Sequence, residues 1–242
     1  MPVSLEPVQN QSLQQTCALR MEAKILSGEW IAGQRLHSER TLAQELQVSR
    51  PVVHQALVDL AAKGLVCIVP RRGVFVCDYR TSGSLAVLST LLTYKDQEID
   101  PQLIHDLIEA RKLIETETAR LAAQKRTTEQ LKRIETILDQ ETTADPGDSR
   151  SLTELDFSFH LEIAIASANR VYPMILNSFR SVYTHLTGLF FTTYQGREPV
   201  QRTFIAHRNI LEKISQQEPE KAAILMADML DEGAAFLSQI GG

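Results

Sequence analysis

The chain has no apolar run of about 18 residues, the length at which a segment reads as membrane-spanning, so none of it is expected to cross a bilayer. Cysteine is scarce and odd in number: three residues argue against a disulfide framework and for the reducing cytoplasm. The first fifteen residues lack the basic-then-apolar order of a secretion signal, and 1–10 read as a disordered lead. No internal repeat or low-complexity tract stands out. An excess of positive charge is also missing. The net charge of −5 argues at first against a nucleic-acid partner. Division of the chain removes that objection. Residues 1–80 hold 9 Lys and Arg against 7 Asp and Glu, a net of +2, whereas 81–242 hold 16 against 23, a net of −7. The acidic excess belongs to the second part, and 242 residues leave room for two domains with separate cores.

The first part carries a pattern suited to DNA. In Ser49–Leu60 the apolar residues Val53, Ala56, Leu57 and Leu60 fall at i, i+3, i+4 and i+7, the buried stripe of an amphipathic helix. Ser49 stands at the N-cap, and Gly64 follows where a helix can end in a left-handed turn. Upstream, Ser38 caps a shorter helix carrying Leu42, Ala43 and Leu46, with only Gln47 and Val48 left for the turn. Helices joined so tightly cross steeply, as in a helix-turn-helix. Leu65–Val69 and Val74–Tyr79 then flank Pro70-Arg71-Arg72-Gly73, a hairpin with a basic tip. Arg50 and His54 lie on the face opposite Val53 and Leu57 and are expected in the major groove, with Ser49, Val52 and Gln55 beside them; Arg40, Arg71, Arg72 and Gly73 are expected at phosphate or in the minor groove. Four arginines hold a monomer weakly, so a homodimer on a palindromic double-stranded operator is expected.

The second part reads as helical throughout. Helices are predicted over 85–94, 101–124, 128–142, 151–168, 171–193, 200–216 and 218–238, with turns at Asp145–Asp148 and Gln195–Pro199. The expected fold is therefore mostly α: a winged helix-turn-helix over 11–80, a linker at 81–84, and an all-helical antiparallel bundle over 85–242 for effector binding and dimerisation.

Polar residues on apolar stripes mark the bundle. Asp156 and His160 stand one turn apart with Leu155, Phe159 and Ile163; His207 points with Phe204 and Leu211; Arg111 lies among Leu107, Ile108 and Ile114. Buried polar groups are costly unless paired, so these four are expected to converge on one polar cavity. Asp and His at i, i+4 suit a divalent ion, with a second helix supplying another His. The alternative is an Asp–His hydrogen-bonded core network. Arg111 is read either as a partner of Glu115 or as a clamp for a carboxylate effector.

The order Leu36-His37-Ser38-Glu39-Arg40, Leu42-Ala43, Val48-Ser49-Arg50, Ala56-Leu57, Gly64-Leu65-Val66 and Gly73-Val74-Phe75-Val76 resembles the N-terminal domain of the GntR family of bacterial transcription regulators. His37 replaces the usual proline, and His54 the usual arginine. Arg111-x-x-x-Glu115, Leu121-Ala122-Ala123, Asp156-x-x-x-His160, Ala166-Ser167-x-Asn169 and His207-x-x-Ile210 resemble the FCD (FadR C-terminal) subfamily. The resemblance implies a DNA-binding transcriptional regulator controlled by a small organic acid, with a divalent ion (Zn, Ni or Mn) held by Asp156, His160 and His207. Met229 stands where a fourth ligand, histidine, is expected, and a thioether suits hard ions poorly. Thr81-Ser82-Gly83, Pro101–Ile104 and Ile175-Leu176-Asn177 are similar to the fatty-acid-responsive members, which implies an acyl-CoA effector as the alternative. Leu186–Phe191 would then line an acyl channel, while Glu232, beside Met229 and Phe236, would repel its phosphates. The reading of another class is a metal-dependent hydrolase built on Asp156, His160 and His207, but no nucleophile pair or general base accompanies them. A helical scaffold without effector is the third.

Elsewhere the bland readings hold. Cys67 and Cys77, symmetric about the wing turn, are expected to be cross-strand neighbours acting as small apolar filler. Cys17 shares a helical stripe with Leu13, Met21 and Ile25. His37, His105 and His185 are expected in solvent, as is the basic stretch 125–133.

Overall fold

The structure, a computed structural model, describes residues 13–93 and 101–240. It forms two compact units, Met1–Asp96 and Gln97–Gly242. The lead expected at 1–10 lies outside the described residues.

In the first unit, α1 (Leu13–Leu26) buries Cys17, Met21 and Ile25 on one stripe; Leu13, expected with them, is exposed at the helix start. Helix α2 (Glu39–Leu46) is capped by the Ser38 side chain, which accepts from the Thr41 N–H. It ends at Gln47, whose left-handed backbone (φ 54°) turns the chain into α3 (Arg50–Ala62). Ser49 holds the cap position of α3 without a side-chain cap bond, which leaves its hydroxyl free. Val53, Ala56, Leu57 and Leu60 are fully buried against α1 and α2. Strands β1 (Val66–Val69) and β2 (Gly73–Val76) form the antiparallel wing. Residues 33–36 run along the other edge of β2, with Leu36 N–H donating to Val74 and Val76 N–H to Gln34.

Cys67 pairs with Phe75 and Cys77 lies across from Leu65, so the two cysteines are cross-strand neighbours as expected, placed diagonally with their side chains within reach of each other. Three expectations here are corrected. Cys67 is exposed and fills no core. Tyr79 does not extend β2: the Asp78 carboxylate accepts from Arg80 N–H and starts the short helix α4 (Tyr79–Ser82) across the expected linker. Helix α5 (Ala86–Thr93) belongs to the first unit. Its Val87 and Leu91 join that core, and Lys63 binds Thr90 while holding the buried Glu22 at 2.8 and 2.9 Å. The units therefore divide after α5 and not at 81–84.

The second unit is helical: α6 (Pro101–Lys125), α7 (Thr128–Thr143), α8 (Ser149–Ala166), α9 (Val171–Ser178), α10 (Arg180–Thr193), α11 (Glu198–Ser215) and α12 (Pro219–Ile240). Thr127 and Gln130 close a capping box on α7, and Asp148 caps α8. Helix α8 runs through the middle, packed on α6, α7, α9 and α10, while α12 lies along α6. That position buries both Phe159 on one side and Phe157 on the other. The expected helix 171–193 is two helices, broken at Phe179. No glycine or proline sits at the break, so periodicity could not show it.

Gly64 (φ +76°) marks the tightest approach in the first unit, because a β-carbon there would meet the Ser82 carbonyl oxygen at 1.9 Å. Gly28 has nearly the same backbone (φ +77°) with nothing within 4 Å. Gly64→Ala is expected to cost about 2–5 kcal/mol, the left-handed penalty plus overpacking, and Gly28→Ala only about 1–2 kcal/mol. Denaturant unfolding of the two variants compares them; equal losses would show that the α3–α4 approach is not tight.

Candidate functional site

On the first unit, α3 turns Arg50, His54 and Gln55 to solvent because Val53, Ala56 and Leu57 take its other face inward. Ser49 is exposed and Val52 half-buried at its first turn. Arg40 projects from α2, and Arg71 and Arg72 from the wing tip, which turns through a left-handed Arg71 (φ 62°) into a half-buried Gly73 (φ 113°). Among the described residues Arg40, Arg50, Arg71 and Arg72 enter no ion pair, whereas Arg111, Arg120, Arg133, Arg180, Arg202 and Arg208 all do. Guanidinium groups held away from protein carboxylates keep their full charge for phosphate. Two further residues join this surface. Arg35 packs beside the wing, 3.0 Å from where a Gly73 β-carbon would stand. Glu39 Oε1 accepts from His54 Nδ1 at 2.8 Å. Neither was found from sequence: Arg35 lies outside both predicted strands, and Glu39 reads as an ordinary first-turn acid.

In the second unit five helices bring buried charge together. His207 Nδ1, from α11, lies 2.9 Å from Glu141 Oε1 of α7. A carboxylate only accepts, so the proton sits on Nδ1 and Nε2 faces inward; Nε2 has no hydrogen-bond partner and stands 3.6 Å from Asp156 Oδ1. On α8, His160 Nδ1 lies 2.5 Å from Glu115 Oε2, so its Nε2 too points away from the acid. The other Glu115 oxygen takes Arg111 Nε at 2.8 Å, and the Arg111 guanidinium lies 4.0 Å above the Tyr183 ring. Tyr183 donates to Asp156 Oδ2 at 2.7 Å, and Phe159 stacks on His207 at 4.0 Å. Candidate ligand atoms of Asp156, His160 and His207 all lie within 4.8 Å of one another.

Arg111, Asp156 and His160 line one cavity of about 60 Å³, with Phe190, Phe191, Met229 and Leu230 among its walls. His207 is not in the lining and reaches the cavity through Asp156. Both readings of Arg111 thus hold at once: Nε binds Glu115 and the guanidinium borders the cavity. The run Leu186–Phe191 does not line a single channel, since Leu186 faces a separate apolar cleft with Val182 and Phe179, across Arg111 and Tyr183. Glu232 is held by Arg202. Glu141 and Tyr183 were missed from sequence, although Ile134, Leu138 and Glu141 fall at i, i+4 and i+7 and all are buried. His37 and His105 are exposed as expected, while His185 is half-buried.

Burial opposes charge at each of these groups, and partners reverse it. Desolvation would raise Glu115, but Arg111 and His160 hold its pKa down at about 2. Desolvation would lower His207, but Glu141, with Asp156 behind it, pushes it above the ordinary imidazole range. Burial pushes the Tyr183 phenol well up, so it stays a donor to Asp156. A carboxyl held at about 2, against 4.5 for the free group, stabilises the fold by about 3 kcal/mol above pH 4.5 and loses that contribution as pH falls toward 2. Glu115→Gln is therefore expected to be less stable than wild type at pH 7, with the gap closing between pH 4.5 and 2. Urea unfolding across that range reads it; a constant gap would remove the ionised Glu115 from the account.

Comparison with known proteins accords with this division of labour. Residues 13–76 match the bacterial regulatory proteins of the gntR family, and residues 106–232 match the FCD domain. The HTH-type transcriptional regulator LutR of Bacillus subtilis is 30% identical over 84% of this chain and 90% of its own length. A fatty acid metabolism regulator protein of Yersinia enterocolitica is 30% identical over 69% of this chain and 67% of its own. The solved structure of Lar, described as controlling the agr system of Listeria monocytogenes, superposes with a TM-score of 0.65 at 18% identity, covering 96% of this chain and 100% of that one, and so shares the fold. A front domain that presents free arginines and a back domain that encloses a charged cavity are the two parts of a ligand-controlled switch on DNA, and a hydrolase has no use for the first. The chain belongs to the GntR family, in the branch with an FCD effector domain, and is a DNA-binding transcriptional regulator rather than an enzyme.

Proposed function

We propose that this regulator acts in the cytoplasm as a homodimer on a palindromic operator and responds to a small carboxylic acid bound at Arg111, beside a divalent ion held by Asp156, His160 and His207. The observation that carries the effector reading is the buried cluster of Asp156, His160 and His207. Glu141 and Glu115 each stand at the Nδ1 side of a buried histidine, His207 Nε2 faces an Asp156 oxygen, and ligand atoms of Asp156, His160 and His207 lie within 4.8 Å of one another. Carboxylates behind histidines are the usual support of metal ligands, since they fix the tautomer and raise basicity. A core network would instead pair the His207 Nε2 atom, which is unpaired. The residues therefore fit an ion such as Zn, Ni or Mn, which would supply a positive charge and open positions for a ligand oxygen. Arg111 would bind the acid through its terminal nitrogens, its Nε being engaged by Glu115.

The size of the cavity favours a small acid over the acyl-CoA alternative. About 60 Å³ holds roughly four to six waters. A short carboxylate fits as the helices stand, whereas an acyl chain requires them to part. The likeness to fatty acid metabolism regulators keeps the second reading in view, as does the apolar cleft beyond Tyr183.

Arg50 and His54 would read base edges, and Arg40, Arg71, Arg72 and Gly73 would contact backbone, with Ser49, Val52 and Gln55 framing the helix entry. Doubling the four free arginines by a two-fold axis gives the charge that binding at physiological salt requires. A ligand changes DNA affinity only if it binds two conformations unequally. The difference would enter the first unit through α5, which Lys63, Glu22 and the core fasten to the end of α3.

Four measurements test this. Native mass spectrometry of the fresh protein should give the mass of a dimer with bound metal, and a metal-free monomer would overturn both statements. Arg50→Ala should weaken operator binding by about 1–3 kcal/mol and relax base preference, whereas unchanged binding would remove α3 from the groove. Arg111→Ala should abolish the response to a carboxylate while leaving ligand-free DNA binding intact. His160→Ala should do the same and also lose the metal in elemental analysis; retained metal would exclude His160 as a ligand.

A further inference from the structure

The DNA face carries one carboxylate that its charge does not explain. Glu39, in the first turn of α2, reaches α3 and accepts from His54 Nδ1 at 2.8 Å. Its side chain is 32% exposed and that of His54 58% exposed, so the pair adds little to stability. The same acid stands in the turn that carries Arg40, where it repels the phosphates that the free arginines attract. As a first-turn acid Glu39 suits the α2 dipole, but it also reaches across to a side chain on α3. The partner is an imidazole on the outward face of α3, one turn after Arg50. Alone, an exposed histidine turns about two side-chain torsions and offers either nitrogen. Glu39 removes both freedoms. A carboxylate only accepts, so Nδ1 carries the proton and Nε2 is the atom left to face DNA.

We propose that Glu39 is a positioning residue for base recognition: by binding His54 Nδ1 it presents His54 Nε2 to one base pair in each half-site. This rests on the reading that α3 lies in the major groove. Arg50 has no comparable support in the structure and is free to adjust, while His54 is held, so the two side chains read by different means. The preference at the His54 position then depends on a residue that touches no base.

The test is selection from randomised duplexes by the full-length wild type, followed by competition binding to the four base pairs at each position of the selected site. Wild type should prefer one base pair at the His54 position by roughly five- to tenfold, the worth of one hydrogen bond. His54→Ala should flatten that position to within about twofold, and Glu39→Ala should flatten the same position and no other. Glu39→Ala should also bind every duplex more tightly, because a negative charge has left the phosphate face. Glu39→Gln should keep part of the preference, since its amide oxygen can still accept from Nδ1 but its amide nitrogen can also donate there, while sharing the gain in general affinity. The double variant should be no flatter than His54→Ala. Thermal unfolding of all variants should match wild type, both side chains being outside the core. Retention of the preference in Glu39→Ala would overturn the proposal. So would a change in base preference on adding Glu39→Ala to His54→Ala, which would make Glu39 a direct base contact. If wild type selects no sequence, the groove reading itself falls; if it selects one that His54→Ala reads unchanged, the groove reading stands and this proposal falls.

Discussion

The helical unit depends on one constraint: a buried charge must be met by a partner, and all of these pairs but Arg111–Glu115, which lies within α6, are made across helices. Arg111 holds Glu115, Glu115 holds His160, Tyr183 holds Asp156, and Glu141 holds His207. Desolvation opposes each member alone, yet Glu115 stays ionised to about pH 2 because Arg111 and His160 flank it. The chain of partners joins α6, α7, α8, α10 and α11 at defined separations. Apolar packing would tolerate a small slip of these helices, but the ion pairs would not.

That network ends in an unsatisfied atom. His207 Nε2, deep in the bundle, has no hydrogen-bond partner, and Asp156 at 3.6 Å is too far to be one. A buried polar atom without a partner costs the fold, and such atoms concentrate where a ligand later supplies the missing contact. The cavity of about 60 Å³ bounded by Arg111, Asp156 and His160 lies next to it. Any ligand that satisfies these groups changes the balance of forces among the same helices that the ion pairs fix. The site and the frame of the helical unit are thus one set of interactions.

The proposed DNA face follows the opposite rule. Its arginines Arg40, Arg50, Arg71 and Arg72 are exposed and, among the described residues, enter no ion pair, so the fold leaves their charge uncommitted. His54 is tied by Glu39, and Gln55 more loosely by Asp59. The contrast accords with the charge distribution read at the outset, a positive first part and an acidic second part.

The sequence by itself determined the local elements and their outward or inward faces. Helix α3 was legible because Val53, Ala56, Leu57 and Leu60 repeat at helical spacing, and the wing because its β-branched runs flank a basic turn. Asp156, His160, His207 and Arg111 were legible as polar residues on apolar stripes, since burial of such groups is costly enough to mark them. What the sequence left open was everything set by contact between distant segments. The break at Phe179, the docking of α5 on the first unit and the diagonal placing of Cys67 and Cys77 follow from packing that no local period records. Glu141 and Tyr183 lie 66 and 27 residues from the side chains they hold, and only the tertiary structure shows that they fix a proton on His207 and a hydrogen bond on Asp156. Residue type and spacing decide which groups can be buried, whereas the partner of each buried group, and with it the atom left free to bind, is decided by the fold.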